Sequence, residues 1–253
     1  MSEKERIVHI REFPIHKIPD SCTFVVIAAP GMGKTRFVED LCYANKHKYP
    51  AVRVWCGTED TQGRYKRFTK PLYITNEYKT EEHENGVIRQ KLCKSEKCKN
   101  GKAIFILDDC NTDRKIFQSP LMKGQFKNGS QWWDCLFILA SHYVFDMPPD
   151  LRKTVSYVAI FKETSVEERQ KLHKNFAIGC TFPEFCDLMD QITGDYTCII
   201  FDKRSQSNNI EECVYYYKAR LHDDIKWSLG CDEYKKWSDD RYNTKYVEAA
   251  VHG

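Results

Sequence analysis

The sequence lacks any long hydrophobic run. No apolar stretch in its 253 residues approaches the roughly 18–20 residues that a bilayer-spanning helix needs, so we expect no membrane-spanning segment. A strong charge of either sign is also missing, because 39 Lys and Arg residues face 36 Asp and Glu residues, for a formal net charge of +3. So small an excess does not by itself indicate a nucleic-acid partner. The first residues, MSEKERIVHIREF, are charged and lack the apolar stretch of a secretory signal.

Cysteine, by contrast, is abundant, with twelve residues. In a chain of this length without a sign of export, that number favours reduced thiols in a cytosolic setting over a disulfide framework. Cys93 and Cys98 form the one close pair, with four residues between them and no matching second pair. A zinc site at this pair, completed by His83 or Cys110, is the alternative to ordinary thiols.

The composition, 42% hydrophobic and 30% charged, is that of a globular protein with a full-sized core. The length fits one large α/β domain. We therefore expect a single domain over residues 1–253, with a core over about 20–220 and a tail over 243–253 that frays. The polar, Lys-rich segment 57–101 gives no indication of its role.

Five short apolar runs, rich in Val, Ile and Phe, predict buried strands at residues 23–27, 51–55, 103–107, 136–140 and 155–161. The runs do not alternate polar and apolar residues, which favours parallel strands covered on both faces. Helical patterns intervene, notably over residues 34–44 and part of 81–93. This alternation predicts an α/β fold, a mostly parallel twisted sheet with helices on both faces. Two late runs, 197–201 and 214–217, predict extra C-terminal strands joined by a polar loop.

The first predicted strand leads directly into a glycine-containing loop and then a helical pattern. That order is the context of a P-loop, here Ala28-Ala29-Pro30-Gly31-Met32-Gly33-Lys34-Thr35. The amides of such a loop and the helix N-terminus direct partial positive charge at phosphates. Gly31 and Gly33 allow backbone conformations and close approaches that a Cβ would hinder. The pattern predicts a P-loop NTPase with nucleotide-binding residues Ala29, Pro30, Gly31, Met32, Gly33, Lys34 and Thr35.

Two side chains of this segment have specific expected roles. Lys34 would contact the β- and γ-phosphate oxygens of a nucleoside triphosphate, and the Thr35 hydroxyl would be a ligand of Mg²⁺. Ala28 stands where the P-loop pattern has its first glycine, and its single methyl group leaves the turn feasible. The alternative is a chance match to a turn before a helix.

An acidic pair, Asp108 and Asp109, follows the predicted strand at 103–107. A parallel strand here should lie near the P-loop strand and bring both carboxylates to the same edge of the sheet. Asp108 is the candidate Mg²⁺ partner, acting mainly through bound water, and Asp109 is the candidate base or orienter for the attacking water. Two acids after a strand can also be an ordinary solvated loop.

Two further residues are candidates for catalysis. His142 follows the strand at 136–140, and an imidazole there could hold the γ-phosphate or the water, because it both donates and accepts hydrogen bonds. Arg152 follows two stiff prolines, and a guanidinium on a rigid turn suits phosphate contact within the chain or across a subunit boundary. The alternatives are a loop histidine and an arginine in a surface salt bridge.

Together these motifs resemble the DNA-packaging ATPases of large nucleocytoplasmic DNA viruses, a poxvirus-like family within the FtsK/HerA superfamily. The resemblance covers roughly residues 20–220 and extends beyond the generic P-loop features. It rests on the order and spacing of NGSQW (128–132), Ser141-His142-Tyr143 and PPDLR (148–152). Downstream, FPEFCDLMDQITGDYTCIIFD (182–202) and SNNIEECVYYYKAR (207–220) resemble the family's C-terminal signature.

The resemblance implies an ATP-driven motor that translocates double-stranded DNA into a preformed capsid, as a homo-oligomeric ring. It implies ATP and Mg²⁺ as cofactors, capsid or portal-like proteins as partners, and a location in the host cytoplasm, at the viral factory, or with the virion. The roles of Lys34, Thr35, Asp108 and Asp109 carry over onto the matching motif positions. Arg152 matches the arginine of the family's Pro-Pro-x-Leu-Arg segment and is a candidate finger that acts on a neighbouring subunit.

Two positions depart from the family pattern, which commonly has arginine where Ser130 stands and glutamine where His142 stands. Without a guanidinium at position 130, Arg152 or another basic residue must stabilise the transferring phosphoryl group. An arginine finger is worth about 10³–10⁵ in rate, so hydrolysis would be slow if nothing compensates. His142 keeps a hydrogen-bonding role, which its protonation would make sensitive to pH.

A packaging motor must pass any DNA sequence, so we expect it to grip DNA by the phosphates. Candidate basic clusters are Lys46/Lys48, Arg64/Lys66/Arg67/Lys70 and the run 91–102, each of which could equally be a solvated face. One alternative function is a cellular FtsK/HerA-like translocase or helicase, which the segment 207–220 disfavours. Another is a nucleotide-switched binding or scaffold protein with little turnover. Ser130 and the short carboxylate of Asp109 keep that last function open.

Overall fold

The computed structural model describes residues 8–96, 99–110, 114–142 and 147–245, and within these ranges the side chains of 59–61, 114 and 130 lie outside the description. Four features named above therefore have no structural account: Lys97, Cys98, Tyr143 and the end of the tail, 246–253. The described residues form one sheet with helices packed against it.

The sheet contains nine strands. In chain order they are β1 (Arg11–Glu12), β2 (Cys22–Ile27), β3 (Ala51–Cys56), β4 (Ile74–Thr75), β5 (Ala103–Asp108), β6 (Cys135–Ser141), β7 (Tyr157–Ile160), β8 (Thr197–Asp202) and β9 (Val214–Lys218). Their order across the sheet is β1-β9-β8-β7-β2-β6-β5-β3-β4.

Nine helices connect or flank the strands in the described ranges. They are α1 (Lys34–Asn45), α2 (Glu59–Tyr65), α3 (Thr80–Ser95), α4 (Pro120–Trp132), α5 (Pro149–Arg152), α6 (Val166–Phe176), α7 (Phe182–Ile192), α8 (Ile210–Cys213) and α9 (Asp232–Arg241). No described helix is long and apolar enough to cross a membrane.

Strand direction positions the site. Every adjacent pair of strands is parallel except β7–β8 and β8–β9, so β8 alone runs against the others. The carboxyl ends of β2, β5, β6 and β7 therefore meet at one edge, which we call the carboxyl edge. Because β8 is reversed, it begins at that edge rather than ending there. The predicted mostly parallel sheet with two extra C-terminal strands is confirmed, and β1 and β4 are short additions that the sequence pattern did not predict.

Helices cover both faces of the sheet, as predicted. Successive residues of β2 point to opposite faces, so that Phe24 and Val26 join the core beneath α1, while Val25 and Ile27 join the core beneath α4, α6 and α7. All six residues of β2 are buried. Burial on both faces is why the predicted strands read as continuous apolar runs instead of alternating ones.

Candidate nucleotide-binding site

The loop between β2 and α1 has the backbone form that a phosphate site requires. Gly31 and Gly33 have φ angles of 78° and 101°, in the left-handed region that favours glycine. The N-cap residue of α1 is Gly33, which has no side chain to cap the helix, and the first turn of that helix contains no acidic residue. The first N–H groups of α1 therefore present partial positive charge that no side chain of the cap neutralises. This arrangement can accept the phosphate chain of a nucleotide.

Lys34 joins the loop to the acidic pair. Its side chain is 7% exposed, and Nζ contacts Oδ2 of Asp109 and lies 3.2 Å from Oδ1 of Asp108. Both carboxylates lie near Lys34 because they end β5, and only β6 separates β5 from β2 in the sheet. A triphosphate bound at the loop would thus compete with two carboxylates for the same ammonium group.

Asp108 is fully buried at the end of β5. The hydroxyl of Tyr65 donates to its Oδ2 at 3.0 Å, while its Oδ1 accepts no well-formed hydrogen bond from any described residue, although Lys34 lies within ion-pair distance. Burial raises the pKa of Asp108, and the charge of Lys34 opposes that rise. A buried oxygen lacking a hydrogen-bond donor fits a bound cation or its water. Together with the half-buried hydroxyl of Thr35, the residue after Lys34, the donors are the hard oxygens that Mg²⁺ prefers.

Asp109 adopts a strained backbone beside Asp108. Its φ of 52° lies in the left-handed region, and its N–H donates to the carbonyl of Ala140 at 3.0 Å. A Cβ added at Gly57 would lie only 2.5 Å from the carbonyl oxygen of Asp109, so the close approach there requires glycine. Sequence reasoning missed Gly57, and its signal was a glycine immediately after a predicted strand.

His142 contacts both the P-loop and the acidic pair. Its Nδ1 lies 2.6 Å from the carbonyl oxygen of Ala28, and its Nε2 lies 3.2 Å from Oδ2 of Asp109. Each ring nitrogen therefore faces an oxygen that can accept a hydrogen bond. The structure brings Lys34, Asp108, Asp109 and His142 together at the carboxyl edge.

Arg152 lies elsewhere. Its carbonyl accepts a hydrogen bond from Lys203 at 3.1 Å, and Lys203 follows Asp202, which pairs with the first residue of β7. Arg152 is therefore at the opposite edge of the sheet, and the six residues of β2 alone span about 20 Å. Within its own subunit this arginine is not part of the P-loop site.

Position 130 shares the location of Arg152. It lies in the last turns of α4, shortly before β6 begins, and Lys127 of α4 forms a 3.0 Å ion pair with Asp150 of α5. The side chain of Ser130 itself is outside the described set. Both positions at which the family resemblance places an arginine thus lie away from the P-loop of the same chain.

The basic clusters are largely engaged in contacts within the chain. Arg64 and Arg67 both pair with Asp223, and Lys70 lies 2.7 Å from Asp239. Because exposed ion pairs contribute only about 0–1 kcal/mol, DNA phosphates could displace these acids. The structure adds two lysines of α9, which line one groove with three residues of this cluster: Lys66, Arg67, Lys70, Lys235 and Lys236.

Basic side chains of the other two clusters also contact groups within the chain. Lys46 lies 3.5 Å from the ring centroid of Tyr43, Lys48 donates to the carbonyl of Ile18 at 3.0 Å, and Lys102 contacts Asp20 at 2.5 Å. None of the clusters is identified as a DNA site by these contacts.

His83 does not serve as a ligand for the zinc site considered at Cys93 and Cys98. That histidine is buried, with Nδ1 2.7 Å from the Tyr78 hydroxyl and Nε2 3.0 Å from Oε1 of Gln125. No group of three or more His, Cys, Asp or Glu side chains in the described ranges could hold a metal ion. The described cysteines are free thiols.

The order of parallel strands, the glycine loop on β2 and the acids on β5 define a P-loop NTPase fold of the packaging-ATPase type. A solved structure with this fold is the genome packaging NTPase B204 of Sulfolobus turreted icosahedral virus 2, determined in complex with ATP-gammaS. The TM-score is 0.56 at 15% sequence identity, over 81% of this chain and 100% of B204. The likeness to a viral packaging ATPase is thereby confirmed for the fold.

The chain belongs to the family of large-DNA-virus proteins that includes protein 075L of Invertebrate iridescent virus 6 and protein 088R of Invertebrate iridescent virus 3. It is 36% identical to 075L over 224 residues, 88% of this chain and 86% of that protein. With 088R the identity is 34% over 213 residues, 83% of this chain and 81% of that protein. No family model matches the sequence.

Proposed function

We propose that this protein is a Mg²⁺-dependent ATPase that, as a homo-oligomeric ring, drives double-stranded viral DNA into a capsid in the host cytoplasm. The observation that carries the proposal is the meeting of Lys34, Asp108, Asp109 and His142 beside the glycine loop. Membership of a large-DNA-virus family and the fold shared with the B204 packaging NTPase support the packaging role. Capsid or portal-like proteins would be the further partners.

Binding would begin with an exchange of partners at Lys34. The β- and γ-phosphates would take over the ammonium group from the two carboxylates while the amides of the loop and α1 hold the phosphate oxygens. Thr35 and Asp108 would hold Mg²⁺, which supplies charge neutralisation to the phosphates when bound. Oδ1 of Asp108, once the phosphates have taken Lys34 from it, is the atom best suited to that contact.

Hydrolysis would follow at the side of the loop nearest β5 and β6. Asp109, released from Lys34, would orient the attacking water and accept its proton. His142 would hold Asp109 in place through Nε2 while its other nitrogen stays on the Ala28 carbonyl. The left-handed backbone of Asp109 is kept by its hydrogen bond to Ala140 and by the space at Gly57.

A ring would give Arg152 a role at a P-loop that it does not reach within its own subunit. The far edge of the sheet in one subunit can face the P-loop of the next, and a guanidinium delivered there would stabilise the transferring phosphoryl group. The subunits would then have to assemble before they hydrolyse ATP.

The first experiment is ATP hydrolysis with and without linear double-stranded DNA. We expect Mg²⁺-dependent turnover that DNA increases and that Lys34→Ala and Asp109→Asn each reduce at least about a hundredfold. Asp232→Asn, at a side chain that is 98% exposed on α9, is the matched carboxylate control and should keep wild-type turnover. Turnover unaffected by Lys34→Ala would contradict the assigned site.

A nucleotide switch with little turnover is the second candidate. It is favoured by one observation, that Arg152 and position 130 both lie away from the P-loop of their own chain. Tight Mg²⁺–ATP binding without hydrolysis, even on DNA and with rings formed, would support the switch over the motor. Turnover that depends on empty capsids would separate the packaging motor from a cellular-type translocase.

A further inference from the structure

The turn that leads into β8 has an unusual backbone for its residues. The N–H of Thr197 donates to the carbonyl of Gly194 at 2.8 Å, and the two central residues, Asp195 and Tyr196, have φ angles of 45° and 62°. Positive φ at both positions is the signature of a type I′ turn, which favours Asn-Gly. A tyrosine there adopts a conformation against its steric preference, and such residues cluster at functional sites.

The position of this turn follows from the reversal of β8. Because β8 begins at the carboxyl edge, the turn lies beside the P-loop instead of on the far side of the sheet. A Cβ added at Gly33 would lie 2.5 Å from Cδ1 of Tyr196, so the tyrosine ring rests directly on the loop backbone. The side chain is nevertheless 42% exposed, which leaves much of the ring open to solvent.

The neighbouring segment, residues 219–222, is held both to Tyr196 and to α1. The N–H of Ala219 donates to the carbonyl of Tyr196 at 3.3 Å, and Leu221, two residues later, is 57% exposed. Asp40 of α1 fixes this segment by accepting hydrogen bonds from the Arg220 N–H and from Nε2 of His222, each at 2.8 Å. The exposed part of the Tyr196 ring, beside the phosphate loop and on a fixed backbone, is available to a flat ligand group.

The direction in which a nucleotide would lie in the loop indicates which of its groups would reach Tyr196. Asp109 and His142 lie on the β5 and β6 side of β2, and they mark where the terminal phosphate and its water must lie. The other end of a triphosphate in the loop therefore points to the β7 and β8 side, where Tyr196 stands. On that end a nucleoside triphosphate carries its ribose and base.

We propose that Tyr196 stacks on the base of the nucleoside triphosphate held by the P-loop. This inference rests on the proposed nucleotide-binding function and adds a base contact to it. Every base has a π-face, so stacking on the tyrosine ring recognises the presence of a base rather than its identity. Gly33 is thereby required twice, for its own positive φ and for the ring that lies on it.

The test is calorimetric titration, in Mg²⁺, of two ligands that share the phosphates and differ in the base: β,γ-methylene-ATP and inorganic tripolyphosphate. The variants are Tyr196→Phe, which keeps the ring, and Tyr196→Leu, which keeps apolar bulk against Gly33. We expect Tyr196→Phe to bind the ATP analogue within about twofold of wild type, and Tyr196→Leu to bind it about tenfold or more weakly. The affinity for tripolyphosphate should change in neither variant.

Three results would overturn the inference. In the first, Tyr196→Leu loses affinity equally for both ligands, which would make the ring a support for the loop. In the second, Tyr196→Leu loses affinity for neither ligand. In the third, Tyr196→Phe and Tyr196→Leu lose affinity for the ATP analogue equally. Failure of the proposed function would look different, because the wild type would bind neither ligand or Lys34→Ala would leave binding unchanged. Circular dichroism of each variant checks that it is folded.

Discussion

The Nζ atom of Lys34 lies 3.2 Å from Oδ1 of Asp108, so a lysine that can bind phosphate is held by a carboxylate with no solvent exposure. Two buried charges in contact are costly to desolvate but costlier to separate, because either one alone is left uncompensated. Under the proposed function the same ammonium group has two partners, the carboxylates without nucleotide and the phosphates with it.

A double-mutant cycle measures this relationship. Lys34→Met should lower the free energy of unfolding by about 3 kcal/mol in the absence of Mg²⁺ and nucleotide, because it leaves Asp108 buried without its partner. Adding Asp108→Asn should recover part of the loss, with a coupling free energy of about 1–3 kcal/mol in urea unfolding. The exposed pair Lys235–Asp232 is the control and should couple by less than about 0.5 kcal/mol. Strict additivity at Lys34 and Asp108 would show that the buried pair is not formed.

His142 can be exchanged for the residue that the family resemblance implies. His142→Gln keeps an amide donor for the Ala28 carbonyl and should hold kcat within about threefold of wild type. His142→Ala removes the contact with Asp109 and should lower kcat about tenfold, less than the loss of a full acid–base group, with little change in KM. Steady-state kinetics decides, and equal rates for the Gln and Ala variants would remove His142 from the positioning role.

Arg152 gives a prediction for mixed assemblies. Arg152→Ala and Lys34→Ala should each be inactive alone, since one lacks the arginine and the other lacks a working P-loop. Mixed together, they should recover measurable ATP hydrolysis, because a P-loop of the first variant can meet Arg152 of the second. Recovery should appear only at concentrations where rings form, as followed by light scattering. If the wild type hydrolyses ATP equally fast per subunit before and after high dilution, the arginine does not act between subunits.

His83 predicts a loss of stability in acid. Burial lowers the pKa of this histidine from 6.5 to about 4, and the neutral ring is held between Tyr78 and Gln125. Between these two pH values the unfolded chain binds more protons than the folded one, so the free energy of unfolding falls as pH decreases from 6.5 to 4, by up to about 3 kcal/mol.

The measurement is urea unfolding at several pH values in that window. His83→Gln should flatten the pH dependence even if it lowers stability at every pH. His47→Gln, at an exposed position, is the matched control. An unchanged slope in His83→Gln would show that another group titrates.

Much of the fold could be predicted because buried parallel strands leave a plain pattern. The runs that became β2, β3, β5, β6, β7 and β8 are largely apolar on both faces, whereas the run that became β9 is partly exposed, and each of the seven was placed to within two residues. The two-residue strands β1 and β4 carry no such pattern. The helix α7 did leave a signal, since Thr181 and Glu184 form a capping box at its start.

The residues of the site could be predicted only where a recognisable motif follows the end of a predicted strand. Lys34, Asp108, Asp109 and His142 each follow an apolar run closely, and parallel strands bring such residues to one edge. Arg152 precedes a strand instead of following one, and that order places it at the far edge. Tyr196 has no motif, because its position depends on the direction of β8 and on a contact with Gly33 that is 163 positions away in sequence.

One reversed strand has a consequence for how this fold gains new contacts. Had β8 joined the sheet parallel to β7, the chain would have needed a crossover, and the loop before β8 would have opened at the far edge. An antiparallel neighbour instead returns the chain to the edge it has just left, so α6, α7 and the turn before β8 form an excursion that starts and finishes beside the phosphate loop. Substitutions at exposed positions of that excursion can change the surface beside the phosphate loop, whereas its buried residues pack against β2 and must keep their size.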